Sequence, residues 1–327
     1  MDSMISLIQA AIVFGTVIML GATGEIIAEK AGSLNLGVPG IMYLGGIAGL
    51  VGVFFYESAA ESPSKIVCIL IALACSMTAA ALGGFIYSLL TITLRANPQV
   101  TGLTLTIFGS GVANFFGGSL NKVAGGVGQI SVATTSSAFR TMIPGLHDMG
   151  VVGKIFFSYG FLAYAAVIIA VLAQLYLSKT RQGLNLRAVG ENPGTADATG
   201  INVIKYKYLA TCIGAAISGL GGLYYVMDYT KGTWANDGTI EGLGWLAVAL
   251  VIFATWRPKN AIWGSYLFGL LYWAYFYMSG LTRSSQELFK MLPYVVTIAV
   301  LIAISLRKKR EDQPPAGLAV SYFREER

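Results

Sequence analysis

The sequence has few ionisable side chains for its length. Of its 327 residues only 12% are Asp, Glu, Lys or Arg, and His147 is the single histidine. A typical soluble domain carries about twice that share of charge, so the composition excludes a water-soluble globule. One histidine also excludes metal centres built from several histidines. Intrinsic disorder is excluded because 55% of the residues are hydrophobic.

Cysteine chemistry and nucleotide-binding motifs are missing as well. The three cysteines, Cys68, Cys75 and Cys212, lie inside apolar runs and form no CxxC pair. This placement predicts small core residues and no disulfide framework. The motif GxxxxGK[ST] does not occur, so the chain does not bind ATP through a Walker loop.

Long uncharged stretches make up most of the sequence. Seven have about 20 residues or more, enough to cross roughly 30 Å of hydrocarbon as helices. They are 3–24, 31–56, 66–94, 96–121, 155–178, 208–227 and 260–282. Two shorter stretches, 242–256 and 291–306, need tilt or partial spanning. We predict an all-α polytopic membrane protein of about 8–10 transmembrane helices, with nine crossings preferred, a membrane domain over 1–306 and a tail over 307–327.

The basic residues predict the orientation, because short loops rich in Lys and Arg stay in the cytoplasm. With 179–207 and the tail placed inside, 15 of the 22 Lys and Arg are cytoplasmic and 7 are external. Nine crossings then place the N-terminus outside, whereas a tenth crossing near 34–56 would reverse only that end. The cluster 307–310 favours an anchor on anionic membrane lipids. Basic and aromatic residues do not interleave in the pattern that is typical of nucleic-acid binding, so no nucleic-acid partner is predicted.

The segment 24–40 differs from ordinary membrane-spanning sequence. Two acids and a lysine are followed by glycines and Pro39, which break a helix and free its backbone groups. At membrane depth such backbone is tolerated only when it is buried in protein or lines a wet cavity. Two interpretations are open. The segment is either a discontinuous helix with Asn35 near a solute path, or a tight cytoplasmic turn before a glycine-packed helix start.

The segment 181–201 is the longest polar stretch on the predicted cytoplasmic side. Asn192 and Pro193 are favourable at a helix start, and Asp197 suits the positive end of the helix dipole. Gly200 suits a left-handed helix stop. The pattern predicts a helix of about two turns over 193–199. This helix either docks into a groove of another protein or is an ordinary capped loop helix.

Polar residues also occur in the span that begins near Pro98. Gln99 lies at its predicted boundary and Asn114 lies deeper, where it either faces a polar pore or bonds a neighbouring helix. In the second half, the short glycine-interrupted segment 237–245 ends at Trp245. It matches the segment 32–40, a pattern that is typical of a solute path between two halves.

The loop 118–154 is rich in Gly, Ser, Thr and Val and is placed outside. It either caps a translocation mouth or is a solvated surface loop. His147 and Asp148 lie in it, but a lone His-Asp pair is weak evidence for acid-base chemistry. No span carries a central Asp, Glu or Lys, as ion-coupled carriers often do. These features leave a transporter without its own energy source, or a passive pore.

Several segments resemble one family. The segment 24–40 resembles the GE-x-x-x-E-[KR]-x-G-x-[LV]-N-[LI]-G-x-E-G signature of permease subunits of nucleoside-type ABC importers, within the wider ribose/branched-chain amino acid permease group. The segment 183–201 is similar to that family's GL-x-LRAVGENP-x-AA-[DE]-x-x-GI coupling segment. The blocks 97–103 and 244–253 also resemble family blocks. Pro39 departs from the pattern, because most members have Glu there.

The resemblance implies a type II ABC importer permease fold with a short cytoplasmic coupling helix, in a bacterial inner membrane. The implied partners are an ABC ATPase subunit, a second permease subunit that is often a non-identical paralogue, and a substrate-binding lipoprotein. ATP and Mg would bind the ATPase, and this chain would hold no cofactor. The chain would import nucleosides, with ribose-like sugars second. A stand-alone carrier or channel and an integral-membrane enzyme are the competing classes.

Two sets of site residues are predicted. The coupling set would receive the movement of the ATPase. It comprises Arg187, Gly190, Glu191, Asn192, Pro193, Ala196, Asp197 and Gly200. The substrate-path set comprises Asn35, Pro39, Gln99, Asn114 and Trp245. No catalytic residue and no metal ligand is expected.

Overall fold

The computed structural model describes residues 2–123, 130–142, 150–235, 237–277, 283–307 and 312–323. Within these ranges the chain forms fourteen α-helices and no β-strand. They are α1 (Asp2–Lys30), α2 (Val38–Ala59), α3 (Lys65–Ser88), α4 (Pro98–Val123), α5 (Ala133–Phe139), α6 (Gly150–Phe156), α7 (Phe161–Lys179), α8 (Arg181–Glu191), α9 (Pro193–Ala198), α10 (Val203–Tyr224), α11 (Thr239–Phe253), α12 (Pro258–Ala274), α13 (Arg283–Lys290) and α14 (Leu292–Arg307). Single π-helical turns, Leu89–Thr93 and Tyr225–Tyr229, extend α3 and α10.

Seven helical spans in the described ranges are long and apolar enough to cross a membrane. They are Ser3–Lys30, Val38–Ala59, Lys65–Thr93, Pro98–Ser119, Phe161–Lys179, Val203–Tyr229 and Ser285–Ala303. The other two predicted crossings hold shorter helices, α11 with 15 residues and α12 with 17. Each of the nine predicted stretches therefore contains a helix, and the prediction of an all-α polytopic membrane protein is confirmed.

α1 lies at the centre of the bundle and packs against α7, α10, α11 and α12. Glycines allow the closest helix crossings. A methyl group on Gly24 of α1 would lie 2.2 Å from the carbonyl oxygen of Gly214 in α10, and one on Gly45 of α2 would lie 2.4 Å from the Cα of Gly219. Such backbone-to-backbone contact is typical of helices packed in lipid, where small residues let dispersion forces act over a large area.

α2 does not begin beside the end of α1 but beside the middle of that helix. α1 ends at Lys30, yet Val38, the first residue of α2, lies 3.8 Å from the position of a methyl group on Gly21. Lys30 lies nine positions after Gly21, which corresponds to about 13 Å along the axis of α1. The residues 31–37 therefore turn back into the bundle. We call them the re-entrant segment.

Candidate solute path and coupling surface

Glu25 of α1 organises the re-entrant segment through backbone hydrogen bonds. The amide N–H of Asn35 donates to Glu25 Oε1 at 2.9 Å, and the amide N–H of Gly37 donates to Asn35 Oδ1 at 2.9 Å. Asn35 is buried, with 2% of its surface exposed. Its side chain therefore holds the turn, and its predicted contact with a solute stays a prediction.

Two hydroxyl groups satisfy further backbone groups of the re-entrant segment. The Tyr87 hydroxyl of α3 donates to the carbonyl of Leu34, and Thr106 Oγ1 of α4 donates to the carbonyl of Leu36 at 3.2 Å. Lipid offers no partner to an exposed backbone group, so irregular chain at this depth needs protein partners. The segment is thus an irregular break buried in protein, and the choice between a solute path and a cytoplasmic turn stays a prediction.

Glu29 lies one helical turn after Glu25 and ties α1 to the loop between α11 and α12. Its Oε2 accepts a hydrogen bond from Nε1 of Trp256, and both side chains are buried. Trp256 and its neighbour Thr255 have left-handed backbone angles, φ 53° and 54°. The two acids are evident in the sequence, but no role was predicted for them. The signal was present, because two carboxylates four residues apart lie on the same side of a helix.

The remaining path residues fall into two pairs. Pro39 is buried at the start of α2 and packs against Gly244 of α11, where a methyl group would lie 2.5 Å from Pro39 Cα. The next residue, Trp245, is half-buried. Pro39 therefore packs beside the residue that precedes Trp245, and the assignment of both to a solute path stays a prediction.

The other pair lies on α4. Gln99 is exposed in its first turn and Asn114 is half-buried four turns later. The Oδ1 atom of Asn114 is buried without a hydrogen-bond partner among the described residues. A buried polar atom without a partner is unfavourable by about 1–3 kcal/mol, so this atom is ready to accept a bond from a solute or a neighbouring subunit.

The predicted coupling segment contains two helices where one was expected. Thr180 Oγ1 accepts a hydrogen bond from the amide of Gly183 at 3.0 Å and caps α8, which the sequence analysis missed. A signal existed, because the buried residues of α8 recur at helical spacing. They are Gly183, Leu186, Val189 and Gly190.

The predicted helix over 193–199 corresponds to α9. Asn192 Oδ1 accepts from the amide of Thr195 at 3.0 Å, and Pro193 occupies the first turn. Gly200 follows with φ +86°, the left-handed stop expected from the sequence. α9 is therefore a short, capped helix whose ends are both fixed by local sequence.

The eight predicted coupling residues differ in exposure. Four are exposed (Arg187, Glu191, Asn192 and Gly200), two are half-buried (Pro193 and Asp197), and two are buried (Gly190 and Ala196). The two buried ones cannot touch a partner protein and act as packing positions. Ala196 packs with Val189 and Val203 in a small apolar cluster beneath α9.

Gly190 joins the coupling segment to α1. A methyl group on Gly190 would lie 2.2 Å from the carbonyl oxygen of Lys30, the last residue of α1. α1 also carries Glu25 and Glu29, which bond the re-entrant segment and the α11–α12 loop. One rigid helix thus connects α8 to the irregular part of the bundle.

A polar cavity of about 710 Å³ opens beside this junction. Lys30, Arg187 and Arg257 supply positive charge to its wall, and Glu191 supplies negative charge. Among the described residues, no group of three or more His, Cys, Asp or Glu could hold a metal ion. His147 and Asp148 of the predicted outer loop lie outside the described residues.

Comparison with known proteins identifies a family over almost the whole chain. The family model described as "Branched-chain amino acid transport system / permease component" matches residues 7–301. A guanosine ABC transporter permease of Bacillus subtilis is 30% identical, covering 98% of this chain and 97% of its own. A nucleoside ABC transporter permease of Lactococcus lactis is 31% identical over 89% of each chain. A candidate glucose ABC transporter permease of Haloferax volcanii is 32% identical over 98% of each. No solved structure shows significant similarity.

Proposed function

Since the chain belongs to the permease family of the branched-chain amino acid transport system, we propose that it is the membrane-spanning subunit of an ATP-driven nucleoside importer. It is a multi-pass transport subunit, and the chemistry of ATP hydrolysis takes place on a separate ATPase that binds ATP and Mg. A second permease subunit and a substrate-binding lipoprotein complete the assembly.

The junction of α8 with α1 is the observation that supports this function best. A displacement of α9 moves α8 as well, because Asn192 is both the C-cap of α8 and the N-cap of α9. The contact of Gly190 with Lys30 passes it to α1, and Glu25 passes it to the re-entrant segment. An irregular segment inside the bundle is the kind of element that can change shape when helices around it move.

The two relatives named for guanosine or nucleosides support a nucleoside as the solute. The relative named for glucose keeps ribose-like and other sugars as the alternative. Asn35 uses its side-chain oxygen to hold the turn and Pro39 is apolar, so selectivity is expected to depend mainly on the lipoprotein.

Reconstitution tests this proposal directly. The permease is placed in liposomes with the ABC ATPase, the second permease subunit and the substrate-binding lipoprotein of the same organism, and uptake of labelled guanosine is measured with ATP inside or outside the vesicle. We expect uptake that requires ATP, the ATPase and the lipoprotein, with unlabelled nucleosides competing better than ribose or glucose. Guanosine flux through the permease alone would instead show a stand-alone carrier or channel.

A further inference from the structure

The C-terminal residues 312–323 lie across the end of the bundle that carries α8 and α9. We call them the strap. The amide of Gly317 donates to the carbonyl of Gly190 at 2.9 Å, and the amide of Ala319 donates to the carbonyl of Gly32 at 3.2 Å. The strap therefore bonds the end of α8 and the start of the re-entrant segment, which directly follows α1, close to the Gly190 junction.

Side chains fix the strap at three further places. Arg257 forms an ion pair with Asp312, Nη2 to Oδ1 at 3.2 Å. The amide of Ala316 donates to Glu191 Oε2 at 3.3 Å, and Lys207 Nζ donates to the carbonyl of Val320 at 3.3 Å. One of the predicted coupling residues, Glu191, is thus engaged by the strap.

The last described residues of the strap reach α9. Tyr322 packs against the apolar cluster that includes Ala196, and the Arg95 guanidinium carbon lies 4.3 Å from the centroid of the Phe323 ring. A groove of about 440 Å³ separates the two elements. Asn192, Gly194, Thr195 and Ala198 form one wall and residues 321–323 form the other.

α9 alone is a poor docking site. Its exposed or half-buried groove residues have small side chains, whereas protein interfaces concentrate their binding energy in large side chains such as Trp, Tyr and Arg. Six helical residues also span only about 9 Å. The strap supplies two aromatic rings beside α9, continuous with the surface on which the proposed function needs the ATPase to bind.

We propose that the strap forms the second half of the ATPase-docking surface, and that an apolar side chain of the ATPase enters the groove between α9 and Phe323. This inference rests on the proposed function. It assigns the C-terminal residues to recognition of the partner, a role that the coupling segment alone was expected to fill.

Binding of the ATPase to the purified permease, assembled with its second permease subunit in lipid nanodiscs, tests the proposal. The variants are Phe323→Ala and a deletion of 312–327, which keeps the basic cluster 307–310. The control is Phe55→Ala. Phe55 is an aromatic residue that is 57% exposed and lies near the C-terminal end of α2, outside the strap and the groove. We expect both test variants to bind the ATPase at least about tenfold more weakly than the wild type. The control variant should bind the ATPase as tightly as the wild type. The thermal unfolding midpoint of the Phe323→Ala variant, unlike that of the deletion variant, should equal the midpoint of the wild type.

The outcomes separate this inference from the proposed function. A wild-type permease that binds no ATPase would remove the proposed function. Wild-type binding that neither variant weakens would overturn the docking role of the strap and leave the function intact. The docking role is also overturned if affinity falls only together with the thermal midpoint, or if Phe323→Ala alters self-association of the permease and leaves ATPase binding unchanged.

Discussion

Glu25 and Glu29 show how single residues make an irregular membrane segment possible. Both carboxylates are buried, and both accept hydrogen bonds from parts of the chain outside α1. A carboxylate inside a membrane protein usually indicates function, and here the visible task is to satisfy backbone and indole donors. The two acids were readable in the sequence, but their partners lie 10 and 227 residues away, beyond the reach of local patterns.

Replacing Glu25 tests whether its oxygen or its charge matters. Glu25→Gln keeps an acceptor for the amide of Asn35 and should leave folding intact. Glu25→Ala leaves that amide without a partner and should lower stability by about 1–3 kcal/mol. Thermal unfolding of the two purified variants in detergent measures the difference. Equal damage from both substitutions would show that the negative charge itself is required.

The junction at Gly190 makes a second prediction. In Gly190→Ala the new methyl group meets the Lys30 carbonyl at 2.2 Å, so α8 must move away from α1. We expect a loss of at least about 1–3 kcal/mol and strongly reduced transport. The matched control is Gly111→Ala in α4, where no atom would lie within 4 Å of the new methyl group. A harmless Gly190→Ala would contradict the direct α8–α1 connection.

At the scale of elements, α9 was predictable and α8 was missed. The limits of α9 depend on Asn192, Pro193 and Gly200, whose preferences act within one turn. The start of α8 depends on Thr180, a weaker cap that directly follows the apolar helix α7. The break before α2 was also predictable, but its depth was not. That depth follows from packing of Val38 beside Gly21, a long-range contact that no local signal encodes.

The cap of α9 gives a prediction at this scale. Asn192→Ala removes the bond to the Thr195 amide and should destabilise this short helix by about 1 kcal/mol. Because α9 has only about one and a half turns, fraying of this helix should uncouple solute uptake from ATP hydrolysis. ATP hydrolysis should continue while solute uptake falls. Asn192→Asp retains the cap and should retain coupling. The measurement is the ratio of nucleoside uptake to ATP hydrolysis in liposomes.

For the whole molecule, the fold class followed from composition, whereas the orientation is still a prediction. Thr195 and Ser62 are exposed residues at opposite ends of the bundle, and the charge distribution places Thr195 in the cytoplasm. After Cys68, Cys75 and Cys212 are replaced by Ala, a membrane-impermeant maleimide should label Ser62→Cys in intact cells. Thr195→Cys should react only in inside-out vesicles. The reverse pattern would place the coupling segment outside and remove its access to an ATPase.

The strap joins Gly317 and Ala319 to Gly190 and Gly32, which are translated much earlier. During synthesis, all the spans leave the ribosome before residues 312–323 do. This face of the protein therefore reaches its final form only after every described span has been synthesised. A permease truncated before residue 312 would insert its helices and still lack the finished surface, so assembly with a partner there would select chains that carry the strap.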